Sequence, residues 1–400
     1  MTDLLYETDG LMTEFDAVVT KAGKDDERDY VLLDRTAFFP EGGGQQADTG
    51  MLVTDSGSRI RVTDVQSLSG QIRHYTDIPI EKGSKVTGLV DAEQRFSRMQ
   101  NHGAEHVISG LAHLSYGYEN VGFHMTDREA VFDLGGPLTD EQIRDIEERA
   151  NRIVFRDVPI TIGFPTPEEA AKLQYRSKLD ISDNVRLVTI EGVDTCACCA
   201  PHLRSTGQIG LIKILDFMPH RGGTRITMTA GINAYLDYVN LHDSNSEIME
   251  MLSAKRIETA GSVRELTKRL SALREENAAL RRKMTDMVTE DVIKKLREKD
   301  PEDDRPELIF TGISDPKGLR DLVNECTKVY GGIVCAFYDK PEGGFGYIFA
   351  VRAENADSAG LLRLTEDFNS SCNGRGGGSK LMTQGTSMAS REDTESFFCG

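Results

Sequence analysis

Two short motifs carry metal-binding chemistry at a usable spacing. His102-Gly103-Ala104-Glu105-His106 is an HxxxH pair. Residues i and i+4 of a helix share a face, so both imidazoles can reach one ion. Cys198-Cys199-Ala200-Pro201-His202 is a CxxxH pair. Pro201 favours a loop or tight turn over a helix there. Three nitrogens and one soft sulfur form a zinc-type donor set. Either pair alone is weak evidence; the signal is their coincidence. The plainer alternative is a set of core histidines and inert thiols. Cys196 and Cys199 are competing thiols that the sequence does not exclude. His113 repeats the face of His106 but lies about 10.5 Å further along the helix, too far to share the ion. His124, in an apolar stretch at 121–124, is either structural or lines a cleft.

Two glycine-rich runs stand out. Phe38-Phe39-Pro40-Glu41-Gly42-Gly43-Gly44-Gln45 is not a P-loop, since no Gly-Lys-Ser/Thr follows. It is either a close backbone approach to a ligand or a turn between strands. Gly374-Arg375-Gly376-Gly377-Gly378-Ser379-Lys380 mixes bare backbone with two cations. That suits a phosphate or RNA backbone, the plainer alternative being a flexible loop.

These residues need a scaffold of several parts. At 400 residues the chain has room for two to four domains. Strand-like runs at 30–33 and 60–62, with turn signals at 42–44 and 55–57, predict a small β-barrel or sandwich over 1–90. Helices are predicted from about 91 to 115, on the apolar face of Phe96, Met99, Val107, Ile108 and Leu111, and over 139–155, capped by Thr139. Gly103 and Gly110 weaken the first of these. With strands at 184–191 and 210–216, residues 91–236 read as an α+β domain. A charged, proline-bounded linker at 299–306 leads to an α/β domain over 301–400, with strands at 308–311, 332–337 and 346–350 and a helix at 319–328.

Between them, over 237–300, lies the clearest periodic signal. Val263, Leu266, Leu270, Leu273, Asn277, Leu280, Met284 and Met287 alternate in steps of three and four. These are a/d positions of a coiled coil, and Asn277 is the one polar insertion, a device that fixes register. The reading is a homodimer through residues 255–290, against a helical hairpin within one chain. The fold class is thus α+β multidomain: a small β-barrel, an α+β zinc-containing domain, a helical coiled-coil segment and a C-terminal α/β domain.

The net charge of −18 disfavours nonspecific nucleic-acid binding. Residues 251–300 nevertheless hold 13 Lys and Arg against 9 Asp and Glu, which leaves a local basic stripe. No apolar run reaches the roughly 18 residues of a membrane helix. The start, Met1-Thr2-Asp3, lacks the basic-then-apolar run of a signal peptide, so the expected location is cytoplasmic. Seven cysteines without a signal do not form a disulfide framework.

In order along the chain, Thr36-Ala37-Phe38-Phe39-Pro40-Glu41-Gly42-Gly43-Gly44-Gln45, HxxxH, and CxxxH followed by Thr206-Gly207-Gln208-Ile209-Gly210 resemble the editing domain of alanyl-tRNA synthetases. They resemble more closely the freestanding alanyl-tRNA editing proteins. The tail, with 374–378 and Met382-Thr383-Gln384-Gly385, resembles the C-terminal DHHA1-type domain of the long forms. The resemblance implies a trans-editing hydrolase. It would deacylate mischarged tRNA for alanine, releasing serine or glycine from the 3′-terminal adenosine by zinc-assisted ester hydrolysis. It implies one zinc per protomer on His102, His106, Cys198 and His202. Thr36 and Gln45 are the catalytic candidates, as polar groups that can reward a serine hydroxyl. Arg281, Arg282, Lys283, Arg375 and Lys380 are the candidate tRNA contacts. Cys199-Ala200-Pro201 replaces the family's glycines, Gly103 its usual Thr or Ser, and Ser379-Lys380 its Arg-Pro. The alternative is a non-catalytic, zinc-stabilised tRNA-binding protein. A phosphoesterase is not expected, for want of an adjacent His-His pair. Nor is a complete synthetase, because the editing motifs begin near residue 36.

Overall fold

A computed structural model describes residues 2–25, 27–177, 185–300, 304–313, 315–341 and 343–399. The chain divides into two compact units, Met1–Glu247 and Ile248–Gly400.

The first unit opens with a closed six-stranded barrel. Its strands run in the order Glu14–Asp25, Arg28–Leu33, Gln71–Thr76, Arg59–Leu68, Gly50–Thr54 and Lys85–Val90. Period-two patterning builds it: Phe15, Ala17 and Val19 point inward while Glu14, Asp16 and Val18 face out. Leu33, Phe38, Leu52, Val62 and Val65 fill the interior.

His74 is enclosed in this barrel. Its Nδ1 lies 3.3 Å from the Val31 carbonyl and its Nε2 lies 2.8 Å from Thr36 Oγ1. Burial pushes its pKa down to about 4. Unfolded, it titrates near 6.5. Its contribution to stability is therefore complete above pH 6.5 and is lost as pH falls from there toward 4. The loss amounts to about 3 kcal/mol. In urea titrations at pH 7 and pH 4.5, His74→Gln should show a shallower pH dependence than the wild type; equal slopes would refute this.

Downstream of the barrel, the Ala92–Tyr116 helix is the axis of the unit. Asp91 caps it by accepting from the Gln94 amide, and Gly117, at φ 70°, ends it in the left-handed region. Nearly every side chain from Arg95 to Ala112 is buried. A four-stranded sheet packs against it, in the order Ile212–His220, Gly223–Ala230, Ala130–Leu134 and Asn120–Met125. A three-stranded sheet, Ile160–Gly163, Leu187–Ile190 and Asp194–Ala197, lies on another side. The Asp140–Arg156 helix is capped by Thr139, with Gln142 completing the capping box. The strand expected from 184 begins at Leu187, and residue 184 itself lies outside the described residues.

Gly110 has a positional reason. A Cβ there would meet the Val193 carbonyl oxygen at 2.5 Å and Asp194 Cβ at 2.8 Å. Its bare backbone lets the turn before the Asp194–Ala197 strand lie directly on the helix.

The Gly231–Leu252 helix starts straight out of the Gly223–Ala230 strand, so the boundary expected near 236 falls within it. The heptad pattern lies on the 39-residue Thr259–Arg297 helix. The second unit then forms one five-stranded sheet: Glu307–Thr311, Val334–Asp339, Phe345–Ala350, Met382–Ser387 and Gly374–Gly378. The first pair is parallel and the rest are antiparallel. On one face Leu319, Leu322, Val323 and Leu296 pack against Val334, Ala336 and Ile348. On the other, Phe337, Tyr347, Phe349 and Phe368 form an aromatic cluster. Part of the linker expected at 299–306 (residues 301–303) lies outside the described residues. Among the described residues no helix is long and apolar enough to cross a membrane.

Candidate metal centre

The Ala92–Tyr116 helix carries His102 and His106 one turn apart on a buried face, their rings stacked with centroids 5.2 Å apart. The chain returns as the Asp194–Ala197 strand and then runs irregularly from Cys198 to His202. This loop puts His202 between the two helical histidines, with ring centroids 5.0 Å from His102 and 4.9 Å from His106. Cys198 Sγ lies 3.2 Å from His202 Nε2 and 3.6 Å from His102 Nε2. One donor atom from each of the four residues lies within 4.8 Å of the others.

The second nitrogens are already occupied. His102 Nδ1 is 2.8 Å from Gln45 Oε1, and His106 Nδ1 is 2.9 Å from Asp194 Oδ2. Both partners are acceptors, so each Nδ1 carries a proton and each Nε2 is the atom turned to the centre. The tetrahedral donors of a zinc ion lie about 3.3–3.6 Å apart. The observed spacings and the N₃S donor set fit that ion.

Electrostatics separates the three neighbouring thiols. Loss of water pushes the Cys198 thiol up, but the His102 and His202 imidazoles and hydrogen bonds from His102 and His106 outweigh it. Its pKa falls well below the usual thiol range. Burial pushes Cys196 up to about 11 and also raises Cys199, which the Cys198 thiolate raises further. Cys198 is thus the thiolate of the group. Burial lowers the His202 imidazole to about 4. For His106, burial is outweighed by bonds to Asp194 and Cys198, and its pKa rises well above the ordinary value.

The Phe38–Gln45 glycine run is a turn. Gly42 and Gln45 exchange backbone hydrogen bonds at 3.0 Å, with φ of 61° at Gly43 and 87° at Gly44. The Gly44 carbonyl accepts from the Met125 amide at 3.0 Å. The turn aims Gln45 inward at His102. Gln45 Nε2 is buried and has no acceptor among the described residues.

Thr36 is also fully buried, but on the short Arg35–Thr36 strand that pairs with Asp3–Leu4 beside the barrel, and it bonds to none of the four donors. It accepts from the Phe38 amide at 3.1 Å and donates to His74 Nε2. His113 is exposed and paired with Glu119 at 2.8 Å, and His124 faces solvent on the Asn120–Met125 strand.

The five cationic candidates are all exposed, in the second unit. The glycine run at 374–378 is an edge strand and not a flexible loop, because it pairs with Met382–Ser387. Lys380 there is paired with Asp357 at 2.7 Å.

Three residues at or beside the centre carried no sequence signal: Asp194, Arg176 and Glu105. Glu105 is buried and accepts from Ser109 and Asn120.

Two family models match parts of the chain. The one described as tRNA synthetases class II (A) covers residues 7–94, and the threonyl and alanyl tRNA synthetase second additional domain covers 185–237. Alanyl-tRNA editing protein AlaX-M of Saccharolobus solfataricus is 35% identical over 223 residues, 54% of this chain and 92% of that protein. AlaX-L of Pyrococcus horikoshii is 32% identical over 241 residues, 58% of this chain and 59% of that protein. An alanine–tRNA ligase of Ignicoccus hospitalis is 35% identical over 285 residues, 69% of this chain and 30% of that protein. The chain thus spans less than a third of the ligase and little more than half of AlaX-L. With AlaX-M matched over nearly its whole length, the chain belongs to the alanyl-tRNA editing protein family.

Proposed function

We propose that this chain is an aminoacyl-tRNA deacylase. It hydrolyses the ester between serine or glycine and the 3′-terminal adenosine of tRNA for alanine. The observation that carries the reading is the convergence of His102, His106, Cys198 and His202, with the Gln45 turn against one of them. Zinc held by three of these residues, with the fourth position open to the ester carbonyl, would supply a Lewis acid; held by all four it would only orient the substrate. The ester is labile, so positioning supplies much of the remaining catalysis. Gln45 orients His102 through Oε1, and its Nε2 remains a donor for a substrate oxygen. The Thr36 proton is committed to His74, so Thr36 would offer a serine hydroxyl only a lone pair.

Release of serine, glycine and alanine from charged tRNA, with and without chelator, tests the reading. Serine release that chelator abolishes is expected; no release from any of the three would overturn it. In the same assay Thr36→Val should lower serine release several-fold relative to alanine, as loss of one bond worth about 0.5–1.5 kcal/mol implies. A wild-type serine-to-alanine ratio would remove Thr36 as the discriminator. A non-catalytic zinc protein that binds tRNA is the second reading. One observation favours it: the Ala200 side chain, where the family has glycine, packs against Tyr6 and Phe39 beside Cys198.

The tRNA contacts would be Arg281, Arg282, Lys283, Arg375 and Lys380, and binding through them would weaken as salt rises. The partner for the long helix would be a second copy of the chain. Val263, Leu266, Leu270, Leu273, Leu280, Met284 and Met287 are between 45% and 71% exposed along one seam, too continuous an apolar stripe to leave in water. A dimer at micromolar concentration is expected by sedimentation, and a monomer after deletion of 255–290. A monomeric wild type would refute it.

A further inference from the structure

We propose that Asp194, clamped by Arg176, is the positioning residue that makes His106 a metal donor, and that Arg176 keeps this carboxylate from becoming a ligand itself. The inference rests on the metal-centre reading above.

The three groups form one buried chain of contacts. Arg176 grips Asp194 with both prongs, Nε to Oδ1 at 2.8 Å and Nη2 to Oδ2 at 2.8 Å. Asp194 Oδ2 also faces His106 Nδ1 at 2.9 Å. The side chains of Asp194 and His106 are 2% and 3% exposed, and that of Arg176 is 9% exposed. Arg176 is fixed from its backbone too. Its amide donates to the Thr195 carbonyl at 2.8 Å, and its carbonyl accepts from the Ala197 amide at 2.9 Å. The clamp therefore rides on the same strand as its carboxylate, and Gly110 lets that strand touch the helix of His106.

A second arrangement is geometrically available. His106, Asp194 and Cys196 also bring donor atoms within 4.8 Å of one another, and could be taken for a metal site of their own. The bonds argue otherwise. Both Asp194 oxygens are taken by a cation that no incoming ion would displace cheaply. His106 Nδ1 is taken by the same carboxylate. The Cys196 thiol contacts the Ala197 carbonyl at 3.6 Å. A bare carboxylate so close to a divalent ion would compete for it. Held by Arg176, it acts as a hydrogen-bond acceptor, fixes the proton on Nδ1 and leaves Nε2 for the centre. Gln45 plays the same part at His102 with a neutral amide, so the two helical histidines are held by unlike partners.

The test uses the full chain, stripped of metal and retitrated with zinc against a chromogenic chelator of known affinity. Asp194→Asn should weaken zinc binding about 10–100-fold. Arg176→Gln should weaken it several-fold, and it carries the test should Asp194→Asn not fold. Cys196→Ser should bind as the wild type does. The gain in melting temperature on adding zinc should shrink in Asp194→Asn, whereas a merely structural role would lower the metal-free and zinc-loaded forms equally. Wild-type affinity in both Asp194→Asn and Arg176→Gln, or an equal loss in Cys196→Ser, overturns the inference while leaving the centre standing. A wild-type chain that takes up no zinc overturns both.

Discussion

Cys198→Ser combined with His202→Ala is expected to take the protein from about one equivalent of zinc per chain to near none. Elemental analysis of freshly purified protein is the measurement. The two changes remove the thiolate and the imidazole 3.2 Å from it, and leave only the helical pair His102 and His106. Two imidazoles do not make a closed tetrahedral site. The effect should be large because site formation and folding are coupled: in small zinc peptides the apparent binding free energy is roughly 10–16 kcal/mol at pH 7. Without the ion, the donor atoms of three rings and a thiolate lie within 4.8 Å of one another, and the bonds to Asp194 and Cys198 favour the protonated form of His106. The double variant should therefore melt like chelator-treated wild type, with no further shift on adding zinc. Unchanged metal content would remove the centre as drawn.

The four donors were legible because each pair is local. An i, i+4 spacing on a helix, or around a proline-containing turn, places two side chains together whatever the rest of the fold does. Barrel and helices were legible for a similar reason, since alternation in Phe15–Val19 and the Phe96–Leu111 face are short-range patterns. What was not legible depends on contacts between distant segments. Asp194 lies 88 residues from His106, and nothing in its neighbourhood marks it as a partner. Gly110 read as a weakness of the helix, although the approach of Val193 requires it. The glycine run at 374–378 read as a loop or cradle, because the pairing that makes it a strand is supplied by Met382–Ser387. The end expected near 236 agrees with the limit of the second additional domain at 237, yet no break in secondary structure marks it, because the Gly231–Leu252 helix runs straight on from the preceding strand. The heptads identified a long helix, whereas its partner is a question of a second molecule. Thr36 and Gln45 lie at the two ends of one motif, yet one turns into the barrel and the other toward His102.

Asp48→Ala is expected to cost about 3–5 kcal/mol in equilibrium unfolding, the range for removing one partner of a buried ion pair. Arg95, in the first turns of the site helix, has a side chain that is 0% exposed, and Asp48 is 1% exposed. Arg95 Nε contacts both Asp48 oxygens at 3.0 Å, and a further bond joins Nη2 to Oδ2. The same guanidinium donates to the Gly10 carbonyl at 2.9 Å and to the Ala37 carbonyl at 2.6 Å, while Asp48 Oδ2 accepts from the Phe39 amide at 2.6 Å. One side chain thus ties the N-terminal segment and both flanks of the glycine turn to the helix that bears His102. Truncating Asp48 strands a buried cation and frees the Phe39 amide together. The turn that aims Gln45 should loosen, so zinc affinity should fall as well, although Asp48 is not a ligand. Adding Arg95→Met should recover only part of the stability. It removes the stranded charge, but the Gly10 and Ala37 carbonyls stay buried without their donor. Full recovery in the double variant would mean that the pair alone mattered and that the carbonyl ties carry nothing. A cost below about 1 kcal/mol for Asp48→Ala would place the anchor of the turn elsewhere.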